Sequence, residues 1–200
     1  MGLLLIEQAF NGLQFGVMLF LIAAGLTLVF GIMDLVNLSH GSLVMVGAYL
    51  ATTLIEWTGS FILGILLALP STFLVGVVVE IVVLRTLYER DHLDQVLATF
   101  GLILFFNELI RIVWGPASLY SGLPESISGH VEILPGAPYP AFRLLIILVG
   151  LLVALLIYFI VARTKLGMLI RAGASNREMA GALGVNIRML FTLVFGLGAS

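Results

Sequence analysis

Long uncharged stretches broken by brief polar interruptions organise this chain. Gln8 to Met33 contains no charged residue, Asp34 interrupts, and Leu35 to Ile55 then has only His40 as an ionisable group. Trp57 to Val79 is uncharged; Glu80 follows, and the apolar pattern resumes to Leu84. Leu93 to Trp114 is apolar except for Asp94 and Gln95 near its start and Asn107, Glu108 and Arg111 near its end, and Leu144 to Ala162 is unbroken. A membrane-spanning helix needs about 20 mostly apolar residues, because hydrocarbon offers the backbone no hydrogen-bond partner. The pattern therefore predicts five spans, at about 8–33, 39–56, 61–84, 93–114 and 143–162, in an all-α polytopic transmembrane bundle. Pro70 is expected to kink the third by removing a donor and crowding the preceding turn.

A sixth apolar run, 189–200, stops about half way across a bilayer. It reads as the opening of another span, and the whole as a single transmembrane domain truncated at its C-terminus. A signal peptide begins with a basic region, whereas the first basic residue here is Arg85, so the first apolar run is read as a retained helix.

Orientation follows from the basic residues. Arg163, Lys165, Arg171, Arg177 and Arg188 gather in 163–188 against a single acid, Glu178, which marks that loop as cytoplasmic by the positive-inside rule. Counting back places 115–141 outside, in agreement with its Glu125 and Glu132 and its lack of Lys or Arg. The N-terminus then lies outside if Leu35 to Ile55 spans; a re-entrant segment there would reverse it. Five of the six prolines fall in the outer loop, biasing it away from helix, and a loop this long serves either as a docking surface or as a plain connector.

Composition narrows the class. Of the 200 residues 61% are hydrophobic and 10% charged, the mean hydropathy is +1.20, and Cys is absent. A soluble domain carries about 25% charged residues. Thiol catalysis and thiolate metal sites are excluded, and a net charge of -2 gives no nucleic-acid surface. No cofactor or catalytic residue is expected, since neither a P-loop nor a zinc-protease or serine-hydrolase motif occurs.

Two segments carry more than hydrophobicity. The first, Gly31 to Gly41, places Asp34, Asn37 and Gly41 at near-helical spacing with His40 one turn on, amid small residues. Polar groups at membrane depth usually face a bundle interior or a wet cavity, so Asn37, Ser39, His40 and Gly41 are candidates for lining a translocation path at a discontinuous helix. The competing reading is a cytoplasmic turn in which Ser39 caps the next helix and His40 is solvated or hydrogen-bonded. One His and one Asp are too few ligands for a metal.

The second segment is 163–188. Ser175 and Glu178 form a Ser-x-x-Glu capping box, and Gly184 can adopt the left-handed conformation that ends a helix. Met179, Ala180 and Leu183 are expected on one face of a helix of about 8 residues, roughly 12 Å long. So short a helix is marginal alone; it suits the grip of a partner protein or, alternatively, rests its apolar face on lipid. Other features have plain readings: Gly12 and Gly16 form a packing notch, Glu108 pairs with Arg111, and Glu80 pairs with Arg85 or snorkels.

Leu26-Thr-Leu-Val-Phe-Gly31 leading into Val36-Asn37-Leu-Ser-His40-Gly41, Asp94-Gln-Val-Leu-Ala-Thr-Phe-Gly101, and Gly167-Met-Leu-Ile-Arg171-Ala continuing to Ala182-Leu-Gly184-Val-Asn together resemble the membrane permease subunit of branched-chain amino acid ATP-binding-cassette importers. The resemblance covers essentially the whole chain. Glu178, Ala180 and Gly184 also match the spacing of the wider importer pattern Glu-Ala-Ala-x-x-x-Gly, with Met179 in place of its first Ala, while the downstream Ile-x-Leu-Pro is missing. The resemblance implies a multi-pass protein of the bacterial inner membrane. It also implies a second, homologous permease subunit, two cytoplasmic ATPases gripping a coupling helix around Arg171, Ser175, Glu178, Ala180 and Gly184, and a periplasmic solute-binding protein. Leu, Ile and Val are the family's chief solutes, with urea and short amides carried by related members. The main alternative from the residues is an ion-coupled secondary transporter or channel using Asp34, Glu80 or Glu108.

Overall fold

The computed structural model describes residues 2–117, 119, 122–124, 127–134 and 137–200. Tyr120, Glu125 and Pro135, all in the outer loop, lie outside the described residues. The order is α1 (Gly2–Met33), α2 (His40–Thr58), α3 (Phe61–Val82), a 3-10 turn (Leu84–Leu87), α4 (His92–Trp114), β1 (His130–Leu134), β2 (Ala137–Pro140), α5 (Ala141–Arg163), α6 (Lys165–Ser175), α7 (Arg177–Ala182) and α8 (Ile187–Ala199). Among the described residues, four helices are long and apolar enough to cross a membrane, in α1, α3, α4 and α5. The protein is thus all-α in character and multi-pass. The 19-residue α2 is diluted by Thr52, Thr53 and Glu56, and α8 has 13 residues.

Several elements depart from the sequence expectation. α1 begins at Gly2 rather than near Gln8. Pro70 lies inside the single helix α3, where the sequence places it. The outer loop contains an antiparallel hairpin that pairs Val131 with Tyr139 and Glu132 with Pro138, its register shifting between Glu132 and Leu134. Prolines at a two-stranded edge remove donors the sheet does not need. Nothing packs within 4 Å of where side chains would start at Gly12 and Gly16, so the expected notch is unfilled in this chain; α1 instead meets α5 where Val17 lies over Gly150.

Contacts sort the helix ends into two faces. On one, Tyr139, which is buried, and the exposed Arg143 both donate to Oδ1 of Asn11, at 3.0 and 2.6 Å, tying the hairpin and the start of α5 to the start of α1. Trp114 Nε1 donates to Thr53 Oγ1 at 2.8 Å, and Phe61 meets Phe142 edge-on. The opposite face carries the end of α1, the 3-10 turn, the start of α4, and α6, α7 and the start of α8.

The core lies toward that second face. Val29, Ile32, Met33, Leu35, Leu43, Leu84, Val194 and Phe195 are all nearly inaccessible, packing the α1–α2 junction against α8. By contrast α5 exposes Leu148, Leu151, Leu152, Leu155, Leu156 and Phe159. A contiguous apolar surface of that kind belongs against lipid or another helix.

Candidate functional site

The junction between α1 and α2 is a break in the helix. α1 closes with Asp34 N donating to Phe30 O at 2.9 Å. Asp34 itself turns left-handed at φ 49°, a conformation that Asp tolerates better than most side chains. The residues from Asp34 to Ser39 are not helical, so the near-helical spacing expected across 34–41 does not hold; α2 starts at His40. The chain doubles back: His40 Nε2 lies 3.2 Å from the carbonyl oxygen of Ile22, about three turns or roughly 16 Å before the end of α1. Glycine at 25 permits this, because a Cβ there would meet the His40 ring at 3.2 Å and the Gly198 carbonyl at 2.5 Å.

Two residues on α4 hold the returning strand. Gln95 Oε1 accepts from Val36 N at 3.4 Å, and Thr99 Oγ1 donates to Val36 O at 3.4 Å. Gln95 Nε2 is anchored in turn on the carbonyls of Leu87 and Arg90 at 3.2 and 3.1 Å. Both lie within the Asp94–Gly101 stretch, where sequence reasoning gave neither a role, although two polar residues four apart on an apolar helix were the available signal.

Asn37 and His40 are 5% and 4% exposed, and Ser39 is fully buried. Asn37 Oδ1 accepts from both Ser39 N, at 3.0 Å, and Ser39 Oγ, at 2.7 Å. Ser39 occupies the N-cap position of α2, but its side chain makes no cap bond. A carbonyl only accepts, so His40 Nε2 carries the hydrogen and Nδ1 of the neutral ring is a lone-pair acceptor. That Nδ1 and the Asn37 Nδ2 donor are both buried with no partner among the described residues. Gly41 faces outward with open space around it. The break thus unites Asn37, Ser39 and His40 and leaves Gly41 at its rim.

The second candidate segment folds as two helices. Thr164 caps α6 by accepting from Gly167 N at 3.2 Å, and Arg171 donates to the carbonyl of Val161 near the end of α5. α6 lies against α1, with an apolar groove of about 400 Å³ between them lined by Thr27, Gly31, Ile170 and Arg171 among others.

α7 has six residues, fewer than the eight expected, and its cap differs from the expected capping box. Ser175 is the last residue of α6, and Asn176 is the cap, its Oδ1 accepting from Met179 N at 2.9 Å. Glu178 is left in the first turn, where a carboxylate favours the helix dipole. The far end is as expected: Gly184 has φ 88°, Gly184 N donates to Gly181 O and Val185 N to Ala180 O, the paired bonds of a Schellman motif. The apolar residues do not share a face. Ala180 is buried, whereas Met179 is 63% and Leu183 82% exposed, because Leu183 lies past the end of so short a helix. Ser175, Glu178 and Gly184 are exposed with them. No hydrogen bond joins this segment to the Asn37–His40 group among the described residues; α8 runs between them.

At the start of α8 lies a polar cluster only half expected. Glu80, fully buried, pairs with Arg85 at 3.1 Å as foreseen. It also accepts from Tyr88 Oη at 2.5 Å and from Thr192 Oγ1 at 2.7 Å. Burial foremost, then the bond to Glu80, pushes the Tyr88 phenol far up, so it remains a donor. Glu108 and Arg111 form the expected pair, exposed and 3.9 Å apart.

Residues 8–200 match the family model of the branched-chain amino acid transport system permease component. The high-affinity branched-chain amino acid transport system permease protein BraD of Pseudomonas aeruginosa is 28% identical over 98% of this chain and 67% of its own length. LivH of Escherichia coli K12, a permease protein of the same description, is 27% identical over the same shares, and LivH of Salmonella typhimurium 26%. No solved structure matches the chain.

Proposed function

This chain belongs to the branched-chain amino acid transport system permease family, and on that premise we propose that it forms part of the pore of an ATP-driven importer in a bacterial inner membrane. It is a transport subunit and not an enzyme. Its solutes in this reading are branched-chain amino acids. A second permease subunit completes the pore, two ATPases supply the energy and a solute-binding protein delivers the cargo.

The observation that carries the proposal is α7. A capped helix on the face where the basic residues gather presents Met179 and Leu183 to water beside Glu178. Exposed apolar side chains rimmed by polar ones mark a protein contact. Arg171, Ser175, Glu178, Ala180 and Gly184 shape or flank that contact. Positive-inside topology makes this face cytoplasmic. The bonds from Tyr139 and Arg143 to Asn11 support a start of α1 on the outer side, with α2 read as the remaining span.

The break supplies the path. Asn37 Nδ2 and His40 Nδ1 offer one unused donor and one unused acceptor inside an apolar bundle, which a polar solute can meet when the bundle opens. The ion-coupled alternative needs a free intramembrane carboxylate. Of the three candidates, Glu80 is engaged by Arg85, Tyr88 and Thr192, and Glu108 by Arg111, which leaves the exposed Asp34 at the end of α1 to carry that alternative and favours the ATP-driven reading.

Proteoliposomes holding the full complex test it. Labelled leucine should accumulate only with internal ATP and external binding protein; accumulation driven by a proton or sodium gradient alone would overturn the assignment. Urea or a short amide taken up in place of leucine would correct the solute and keep the class. The chain has no native Cys, so a Ser175→Cys label reacting from the periplasmic side would reverse the topology.

A further inference from the structure

We infer that Glu80, Arg85, Tyr88 and Thr192 form a clamp that fixes α8 to α3, and that α8 so held is the strut carrying movement of the α7 segment to the His40 junction. The inference rests on the reading of α7 as the ATPase contact.

The contacts form an unbroken series. Arg177, the first residue of α7, lies with its guanidinium carbon 5.5 Å from the centre of the Phe191 ring on α8. Phe191 meets Tyr88 edge-on at 5.1 Å. Tyr88 Oη donates to Glu80 Oε1, joined there by Arg85 Nε at 3.3 Å. Arg85 Nη2 and Thr192 Oγ1 donate to Oε2 at 3.1 and 2.7 Å, and Arg85 Nη2 also donates to Thr192 Oγ1 at 2.9 Å. Both carboxylate oxygens are thus doubly engaged.

The far end of α8 is gripped differently. A Cβ on Gly76 of α3 would lie 2.9 Å from the Ala199 side chain, one on Gly196 2.7 Å from the Phe73 ring, and one on Gly198 2.9 Å from the Gly25 carbonyl. Gly25 is the residue over which the His40 ring lies. A 13-residue helix, roughly 20 Å long, therefore joins the turn after α7 to the α1–α2 junction, wedged on backbone too close to slide without moving its neighbours.

A buried ion pair adds little net stability relative to an apolar replacement, but it fixes register because breaking it strands a charge. A full set of donors from two separate stretches of chain, Arg85 and Tyr88 after α3 and Thr192 on α8, suits that role. Tyr88 and Thr192 are positioning residues here, acting on transport through the carboxylate they share.

The test uses the reconstituted full complex and measures leucine taken up per ATP hydrolysed. Thr192→Val keeps the volume and removes the hydroxyl, Tyr88→Phe removes only the phenol oxygen, and Thr192→Ser restores a hydroxyl. Uptake per ATP should fall roughly two- to thirtyfold in Thr192→Val and in Tyr88→Phe, the range for residues that modulate coupling at a distance. It should recover in Thr192→Ser, and the double variant should lose no more than the worse single one. An unchanged ratio in both single variants, or strictly additive losses, overturns the clamp. In the same preparation, Met179→Cys should cross-link to an ATPase subunit. Absence of that cross-link removes the α7 reading and the inference with it, whereas cross-linking with an unchanged ratio removes the clamp alone.

Discussion

The α1–α2 break and the α7 segment are mismatched to their surroundings in opposite senses. The break buries polar groups, leaving Asn37 Nδ2 and His40 Nδ1 without partners among the described residues, inside an apolar core. α7 does the reverse, holding Met179 and Leu183 out to water between charged residues. An unmet buried donor costs about 1–3 kcal/mol, and a bare leucine forgoes about as much in burial. A fold that tolerates both is incomplete at two places, and each deficit names its complement: something polar within the bundle, something apolar at the α7 face.

Substitution can break the contrast from either side, and the largest effect is expected at α7. Leu183→Asp replaces the most exposed apolar side chain there with a charge and should not disturb the fold of this chain. If Leu183 anchors the ATPase contact, the loss should be at least about 2 kcal/mol, an affinity weakened roughly thirtyfold. ATPase retention during purification of the complex measures it, and undiminished retention would return α7 to a lipid-resting role.

In the break, His40→Leu removes both the bond to the Ile22 carbonyl and the unused Nδ1. Uptake should fall roughly fivefold to a hundredfold, in line with the 1–3 kcal/mol of a lost buried polar contact, while ATPase retention stays normal. Asn37→Leu should act in the same direction and also loosen Ser39, whose amide and hydroxyl both lean on Asn37 Oδ1. Transport at the unsubstituted rate in both variants would favour the reading of 34–40 as a purely structural turn.

How much of each region was legible differs for the same physical reason. Apolar run length disclosed α1, α3, α4 and α5 because hydrocarbon constrains them residue by residue. Asn37 and His40 stood out as polar groups in an apolar context, and Gly184 as a helix stop. The doubling back of the chain did not, since it depends on Gly25, Gly198 and the His40 ring meeting from three elements. Glu80 illustrates the limit well: its bond to Arg85 five residues away could be read from sequence, whereas that to Thr192 spans 112 positions. The hairpin also escaped, its alternation hidden among prolines.

Gly184→Val sharpens the α7 side further. At φ 88° a β-branched residue is strained, by about 1–2 kcal/mol on the scale for left-handed backbone. Open space surrounds the position, so the cost is conformational and not steric. Uptake per ATP should drop with the Schellman turn, and a cysteine label at position 183 should become more uniformly reactive along the turn. An unaltered ratio would mean that the turn's shape is irrelevant to its contact.

The smallest effect separates two neighbouring residues. Ser175 and Asn176 are both competent caps, and a Ser-x-x-Glu pattern selects Ser175, yet the hydrogen bond to Met179 N comes from Asn176. The reason lies in α6, which keeps Ser175 as its last helical residue, so that only Asn176, at φ -156° and ψ 103°, has the extended backbone a cap requires. Asn176→Ala should therefore destabilise α7 by about 1 kcal/mol, and Ser175→Ala by less than half of that. Amide exchange at Met179, in the complex and in detergent, reads the difference directly. Equal acceleration in the two variants would restore the capping box and extend α7 by a residue, bringing Glu178 to the position where its side chain returns to the cap.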